Sequence, residues 1–231
     1  MLEFRANVKA VDNGFNLRQK MNRGILMSSY AFSTRAFNIK KVPKPENQFY
    51  DISLPKGLVD IEIGCGVGLH PVEYAKKHPE RSLIAIEHTR EKFEKFTRRI
   101  ASGEPLPNLT PVHANAISWI SHLVPNNYVS RYFILYPNPY PKTRDLGKRW
   151  HAMPFMQHLL DTLKPGGTIT LATNCGFYAD EARVHFQECW GLKLDAVKEL
   201  GSSHLEGART HFERKYLERK EKCLDLVFSK S

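Results

Sequence analysis

Cysteine is scarce in this sequence, with four residues in 231, and no two of the four form a CxxC pair. Cysteines scattered in this way predict reduced thiols in a cytoplasmic protein rather than a disulfide framework or a zinc site. The ten histidines form no HExxH motif or similar ligand spacing, so we expect no metal. The chain also lacks an apolar run of 18 residues and an apolar signal region at its N-terminus. We therefore expect neither a membrane span nor secretion.

Positive charge is present in excess. The chain carries 34 Lys and Arg against 24 Asp and Glu, which gives a formal net charge of +10. This excess favours a polyanionic partner such as nucleic acid. A basic surface that only aids solubility is the alternative.

The first 50 residues are basic and only weakly patterned. Residues 1–50 hold nine Lys or Arg against three Asp or Glu, and Pro43 and Pro45 break any late helix. We predict a basic arm over residues 1–50, with a short helix near Asn16–Tyr30, that contacts a nucleic-acid backbone. An extension packed against the following domain is the alternative. Residues 51–231 are predicted to form that domain.

Apolar runs and amphipathic helices alternate from residue 58 onward. This order predicts an α/β fold with a Rossmann-like, mostly parallel seven-stranded sheet and helices on both faces. Helices are expected at 69–78, 89–100, 116–123, 153–163 and 177–189. The predicted strands are 58–63, 83–86, 109–113, 131–136, 168–173, 192–197 and 224–228.

A glycine-rich turn follows the first predicted strand. Gly64, Gly66 and Gly68 lie between an apolar run and a helix, an arrangement that brings backbone N–H groups close to a ligand. Leu69 stands where the dinucleotide fingerprint has its third glycine, which argues against a nicotinamide cofactor. No Gly-Lys-Ser/Thr follows, so a phosphate loop is not indicated.

Two acidic residues flank this turn in the predicted sheet. Glu62 lies two positions before the first glycine, where it would repel a pyrophosphate and suits a ligand with an ammonium group. Glu87 ends the second predicted strand, where a carboxylate can accept both hydroxyls of a ribose. Asn115 and the amide of Ala116 follow the third strand, where an adenine edge would lie, although Asn115 also suits a turn. Together the glycines and the two acids resemble the cofactor site of class I S-adenosylmethionine-dependent methyltransferases.

A stiff, basic loop follows the fourth predicted strand. The stretch Tyr136–Lys142 contains three prolines in five residues, which suggests a site that must be held in place. Arg144, Lys148 and Arg149 come directly after it. This combination suits a nucleic-acid base held beside the cofactor, with the phosphate backbone on the basic cluster.

Three stretches resemble the tRNA (guanine-N7)-methyltransferase family. The sequence Tyr-Pro-Asn-Pro-Tyr-Pro-Lys at 136–142 is similar to the family's Pro-Asp-Pro-Trp-Pro-Lys loop with its following basic residues. Ala-Thr-Asn at 172–174 resembles its Ala-Thr-Asp segment. Thr-His-Phe-Glu at 210–213 resembles its C-terminal Thr-x-Tyr/Phe-Glu motif. The resemblance runs in order from about residue 58 to the end and does not clearly include the arm.

The resemblance implies a role for each matching residue. S-adenosyl-L-methionine would be the cofactor and tRNA the partner. Asn138 would occupy the family's catalytic position, near both the methyl donor and the base. The cofactor would contact Glu62, Gly64, Gly66, Gly68, Glu87, Asn115, Ala116 and Asn138. The guanine or its nucleotide would contact Lys142, Asn174, Thr210 and Glu213, with Arg144, Lys148 and Arg149 on the RNA backbone.

Asn138 and Asn174 replace two aspartates of the family. Guanine N7 carries a free lone pair, so its methylation needs alignment rather than removal of a proton. An amide can therefore serve, although losing a charge-assisted hydrogen bond costs about 1.5–3 kcal/mol. The alternatives are a methyltransferase acting on another nitrogen, since Asn138-Pro139-Tyr140 resembles part of an Asn-Pro-Pro-Tyr motif, or one with a non-tRNA or small-molecule substrate. An RNA-binding relative with weak or no catalysis is a further alternative.

Overall fold

A computed structural model of the chain describes residues 36–46, 48–49 and 53–231. The helix predicted near Asn16–Tyr30, and with it most of the basic arm, lies outside the described residues. Across the described ranges, no helix has both the length and the apolar character that crossing a membrane would require.

Seven strands form one sheet. They are β1 Val59–Ile63, β2 Ser82–Glu87, β3 Leu109–His113, β4 Val129–Leu135, β5 Leu163–Thr173, β6 Lys193–Leu200 and β7 Cys223–Ser229. Their order in the sheet is β3-β2-β1-β4-β5-β7-β6. Neighbours among β1 to β5 are parallel, whereas β7 runs antiparallel to both β5 and β6. The predicted α/β class and mostly parallel sheet are therefore confirmed.

Helices cover both faces of the sheet, because successive residues of each strand point to opposite faces. On β2, Ile84 and Ile86 belong to one apolar cluster, while Leu83 and Ala85 belong to another. The α-helices are α1 Leu69–Lys77, α2 Arg90–Ala101, α3 Ala116–Leu123, α4 Phe155–Thr162, α5 Gly176–Val184 and α6 His211–Glu218. The first cluster is completed by α3, α4 and α5, and the second by α1 and α2.

The described part of the predicted arm contacts α3. The Ser118 hydroxyl donates to the Pro43 carbonyl at 2.7 Å, and the His122 ring lies 3.1 Å from the Val42 carbonyl. The side chains of Phe37 and Phe49 pack with the main apolar cluster. These contacts match the packed extension considered above, and a boundary near residue 50 stays a prediction.

The two largest differences between the structure and the predicted elements concern one helix and one strand. The helix predicted over 177–189 ends as an α-helix at Val184 and continues as a π-helix over His185–Cys189. Strand β5 begins at Leu163 rather than at 168, because Gly166 and Gly167 exchange backbone hydrogen bonds with Lys230 at the end of β7. Gly166 and Gly167 thus belong to the sheet.

Candidate active site

A cleft of about 1350 Å³ opens at the carboxyl ends of β1, β2 and β4. Ligands bind at this edge of parallel sheets because the loops after each strand converge there. The N-terminus of α6 closes one side. Nine of the predicted site residues line the cleft: Glu62, Gly64, Gly66, Glu87, Asn115, Ala116, Asn138, Lys148 and Thr210.

The glycine loop has the left-handed backbone that glycine adopts readily. Gly64, Gly66 and Gly68 have φ values of 74°, 61° and 76°. Gly64 and Gly66 line the cleft, whereas Gly68 lies against the buried ring of Phe96. A Cβ at Gly68 would stand 1.9 Å from that ring. Gly68 therefore supports the loop from beneath rather than facing a ligand.

Glu62 is held by a histidine that the sequence argument did not single out. The carboxylate is 2% exposed, and its Oε2 lies 2.7 Å from Nδ1 of His70, which is 7% exposed. His70 is the second residue of α1, so the turn after the glycine loop carries it back over the end of β1. Its ring also packs edge-on against Phe133 at 5.0 Å. A polar residue in the first turn after such a loop is the sequence signal for this contact.

Glu87 anchors the glycine loop to the neighbouring strand. Its Oε2 accepts from the backbone N–H of Gly66 at 2.9 Å, and its Oε1 accepts from that of Thr89 at 2.8 Å. Each carboxylate oxygen has two lone pairs, so both can accept a further ligand hydroxyl. Glu87 thus both shapes the loop and presents acceptors to the cleft.

We expect Glu87→Ala to weaken S-adenosylmethionine binding more than Glu87→Gln does. Alanine removes the loop anchor together with the ribose acceptor, whereas glutamine keeps one acceptor oxygen. Loss of one charge-assisted hydrogen bond corresponds to a roughly tenfold to hundredfold rise in Kd. Titration calorimetry measures both constants, with Glu91→Ala, an exposed change on α2, as the control. Wild-type affinity in a folded Glu87→Ala variant would remove Glu87 from the cofactor site.

Asn115 caps helix α3 as well as lining the cleft. Its Oδ1 accepts from the Ser118 N–H at 3.2 Å, the usual hydrogen bond of an N-cap asparagine. The turn role considered for Asn115 is therefore present. Ala116 begins the helix and lines the cleft next to it.

The proline-rich loop after β4 carries backbone strain at both ends. Tyr136 and Tyr140 have φ values of 52° and 43°, a region that residues other than glycine seldom adopt. Between them the Asn138 Oδ1 accepts from the Tyr140 N–H at 3.1 Å. This side-chain turn places Asn138 at the exposed rim of the cleft, and Asp could form it equally well.

Arg149 does not lie where a phosphate contact was predicted. It is buried, and its Nε and Nη2 donate to the Tyr140 carbonyl at 3.1 and 2.8 Å, while Nη1 donates to Glu181. It therefore fixes the proline-rich loop from below. Lys148 lines the cleft, pairs with Asp145 at 2.8 Å and lies over the Tyr140 ring. Lys142 and Arg144 are exposed beyond the cleft lining.

Glu213 also lies away from the cleft lining. Its buried carboxylate accepts from the Tyr136 hydroxyl at 2.7 Å and from the Arg209 guanidinium and backbone N–H at 2.8 and 2.9 Å. Burial acts to raise the pKa of Glu213, but the hydrogen bonds and positive charge of Arg209, together with the hydrogen bond from Tyr136, outweigh it and lower that pKa. In this structure the Glu213 carboxylate is bonded to Tyr136, directly after β4, and its contact with guanine stays a prediction. Arg209 lies in turn 3.0 Å from Asp225.

The two remaining predicted substrate residues are engaged in local contacts. Thr210 lines the cleft and caps α6, since its hydroxyl accepts from the Glu213 N–H at 3.0 Å. Asn174 is half-buried outside the cleft lining, and its amide donates to Glu221 at 2.8 Å. An aspartate at 174 would therefore face the Glu221 carboxylate. Among the residues that the structure describes, no three His, Cys, Asp or Glu side chains group as a metal site.

Comparison with protein families finds one match over most of the domain. A family described as "Putative methyltransferase" matches residues 56–226. The chain is 30% identical over 165 residues to a tRNA (guanine-N(7)-)-methyltransferase of Chlorobium phaeobacteroides, a match that covers 70% of this chain and 76% of that protein. It is 29% identical to a protein of the same name from Thermotoga maritima, a match that covers 76% of this chain and 55% of that protein.

Solved structures with the same fold include RNA methyltransferases. The 16S rRNA methyltransferase KamB aligns with a TM-score of 0.59 and 22% identity, over 76% of this chain and 88% of KamB. A 16S rRNA (adenine(1408)-N(1))-methyltransferase from Catenulisporales acidiphilia, solved with the cosubstrate SAM, aligns with a TM-score of 0.54 and 13% identity, over 75% and 86% of the two chains. At these identities the likeness concerns the fold.

Proposed function

The chain belongs to the tRNA (guanine-N(7)-)-methyltransferase family, and from that premise we propose that it transfers a methyl group from S-adenosylmethionine to N7 of a guanine in tRNA. The observation that carries the proposal is the match to relatives of this name over the domain that contains the cleft. We also propose the cytoplasm as its location, and the four cysteines of the described part form no disulfide.

The donor groups of the cleft fit S-adenosylmethionine. Buried Glu62 offers a carboxylate for the ammonium group, with its geometry fixed by His70. Glu87 and the glycine loop offer acceptors and backbone N–H groups for the ribose and the amino-acid end. Asn115 and Ala116 line the side where the adenine would lie. When bound, this cofactor supplies an electrophilic methyl group.

The protein's own contribution is then to align the guanine. Because N7 attacks with a free lone pair, no general base is required, and orientation can supply a large part of the acceleration. Asn138 stands at the rim of the cleft on a loop held by its own turn and by Arg149. A rigid loop would let an amide serve at this position, where the loop motif considered in the sequence analysis has an aspartate.

Asn138→Asp is expected to raise 7-methylguanosine formation on tRNA by roughly tenfold or more. The carboxylate preserves the hydrogen bond to the Tyr140 N–H and adds a negative charge near the cation formed at N7. Asn138→Ala removes the turn and is expected to lower the yield. The measurement is nucleoside analysis after incubation with S-adenosylmethionine and a total tRNA pool.

Asn138→Asp alone tests the proposal better than a double variant that also carries Asn174→Asp. The Asn174 amide donates to Glu221, so an acid at 174 would bring two carboxylates together and disturb the fold beside the loop. If neither the wild type nor Asn138→Asp forms 7-methylguanosine, while both bind S-adenosylmethionine normally, the guanine-N7 proposal is rejected. An activity that disappears in Asn138→Asp, with another methylated nucleoside in the wild type, would instead indicate a different nitrogen.

A further inference from the structure

A row of cations on α2 faces the N-terminus of α6 across the mouth of the cleft. Lys92, Lys95 and Arg99 recur at intervals of three and four residues, which places them on one side of the helix. All three line the cleft. The Arg99 guanidinium lies 3.5 Å from the His211 ring at the start of α6 and also donates to the Val67 carbonyl at 3.1 Å. None of these side chains has a role in the proposed reaction.

Phe212 is the exposed aromatic residue beside this row. Its side chain is 45% exposed and lines the cleft, although apolar side chains of this size are ordinarily buried. The Tyr216 ring supports Phe212 from one side. The two rings are stacked, with their centroids 6.3 Å apart and an angle of 24° between their planes. Tyr216 packs in turn on Tyr136 at 5.8 Å. Three rings therefore lead from the end of β4 to the mouth of the cleft.

The surroundings of Phe212 are electropositive. The Lys92 ammonium lies 6.0 Å from the centre of its ring. Burial and then the neighbouring Arg99 and Arg214 lower the pKa of His211, so a further positive charge is disfavoured there. An anionic partner with a flat apolar group would suit both the positive charge and the exposed ring of Phe212. Single-stranded RNA has this chemistry, because its bases stack on aromatic rings while its phosphates meet lysine and arginine.

We propose that Phe212 stacks on a nucleobase next to the target guanine, in a single-stranded segment of the RNA, and that Lys92 and Arg99 contact its phosphates. The proposal rests on the proposed function in taking RNA as the substrate. It identifies a stacking subsite between α2 and α6, separate from the buried acids of the cofactor site. A single exposed ring beside a row of cations offers little apolar area for a protein partner.

The test uses the full-length protein and a short single-stranded RNA with 2-aminopurine next to a guanine. Stacking on Phe212 should quench the 2-aminopurine fluorescence and tighten binding. In Phe212→Ala we expect the quenching to be lost and the Kd to rise by roughly five- to hundredfold. Phe212→Trp should restore both signals. The Kd of S-adenosylmethionine should stay unchanged in each variant.

Two substitutions serve as matched controls. Phe177 is 42% exposed and also has a cation over its ring, the Arg149 guanidinium at 5.3 Å, but it lies outside the cleft lining. Phe177→Ala should keep the quenching. Lys92→Ala should reduce the salt dependence of RNA binding, whereas Lys198→Ala, an exposed change on β6, should not.

The outcomes separate this proposal from the proposed function. Wild-type quenching and affinity in Phe212→Ala would overturn the stacking subsite, whatever the yield of 7-methylguanosine. Absence of RNA binding by the wild type, or weaker S-adenosylmethionine binding in Phe212→Ala, would overturn it as well. Lost quenching in Phe212→Ala would support the subsite even if neither the wild type nor Asn138→Asp, both with S-adenosylmethionine bound normally, forms 7-methylguanosine, the result that rejects the guanine-N7 proposal.

Discussion

Asp60→Ala should lower the free energy of unfolding by about 3–5 kcal/mol, because it leaves a buried arginine without its counter-ion. Asp60 has no exposed surface, and Nε and Nη2 of Arg81 each donate to it at 2.6 Å. The Tyr74 hydroxyl donates a third hydrogen bond at 2.7 Å. These contacts raise the pKa of Arg81. The guanidinium stays charged even when they are lost, because arginine is not deprotonated in proteins.

Urea denaturation followed by circular dichroism measures this change. Asp60→Asn keeps the shape of the side chain and one acceptor oxygen, but it replaces the other oxygen with an NH2 group that faces a donor. We therefore expect a smaller but clear loss of stability. Glu73→Ala removes the partner of Lys76 in an exposed pair and should leave the midpoint unchanged within error. An Asp60→Ala midpoint equal to that of Glu73→Ala would show that the buried pair does not stabilise the fold.

Arg149→Ala should lower the turnover number for tRNA by about a hundredfold, because displacement of a positioned group by as little as 1 Å can cost that much. The side chain holds the Tyr140 carbonyl from below and joins it to Glu181 on α5. Without it the strained loop that presents Asn138 loses its support. Arg149→Lys should not rescue the rate, since one ammonium cannot reproduce three directed hydrogen bonds.

The salt dependence of tRNA binding distinguishes support of the loop from contact with RNA. Arg149→Ala should leave that dependence unchanged because the guanidinium is buried away from phosphate. Lys148→Ala, at an exposed position in the cleft lining, should reduce the slope instead. Thermal melting of both variants checks that the fold persists. If Arg149→Ala instead weakened the salt dependence of tRNA binding and left turnover normal, Arg149 would be a phosphate contact, as its sequence context suggests.

Sequence patterns were sufficient for the sheet and for the glycine loop because both depend on short-range information. The apolar run of β1 predicts a buried strand, and the strand is buried. Three alternating glycines between a strand and a helix predict a tight turn with left-handed backbone, and all three glycines have a positive φ. Glu62 and Glu87 followed from their positions at strand ends. The alternation of strands and helices along the chain predicts a parallel sheet. In such a sheet the ends of neighbouring strands meet at one edge, so these residues lie together in one cleft.

The roles of the long polar side chains could not be predicted in the same way. Arg149 donates a hydrogen bond to Glu181, which lies 32 positions away in the sequence. Tyr136 donates one to Glu213, which lies 77 positions away. A basic residue after a proline-rich loop has the same local sequence whether it faces solvent or an acid inside the fold. In the π-helix after α5, Phe186 likewise packs against a distant residue, Phe228 of β7. Such assignments require the tertiary partner.

The strand order has a consequence for the making of the protein. In the sheet, β7 lies between β5 and β6, and β6 is an edge strand whose neighbour is β7. During translation β6 leaves the ribosome before the strand to which it pairs has been synthesised. The backbone N–H and C=O groups of β6 therefore bond to water until Cys223–Ser229 has emerged and has inserted between β5 and β6. Completion of the sheet is thus a late, non-local event, of the kind that slows folding.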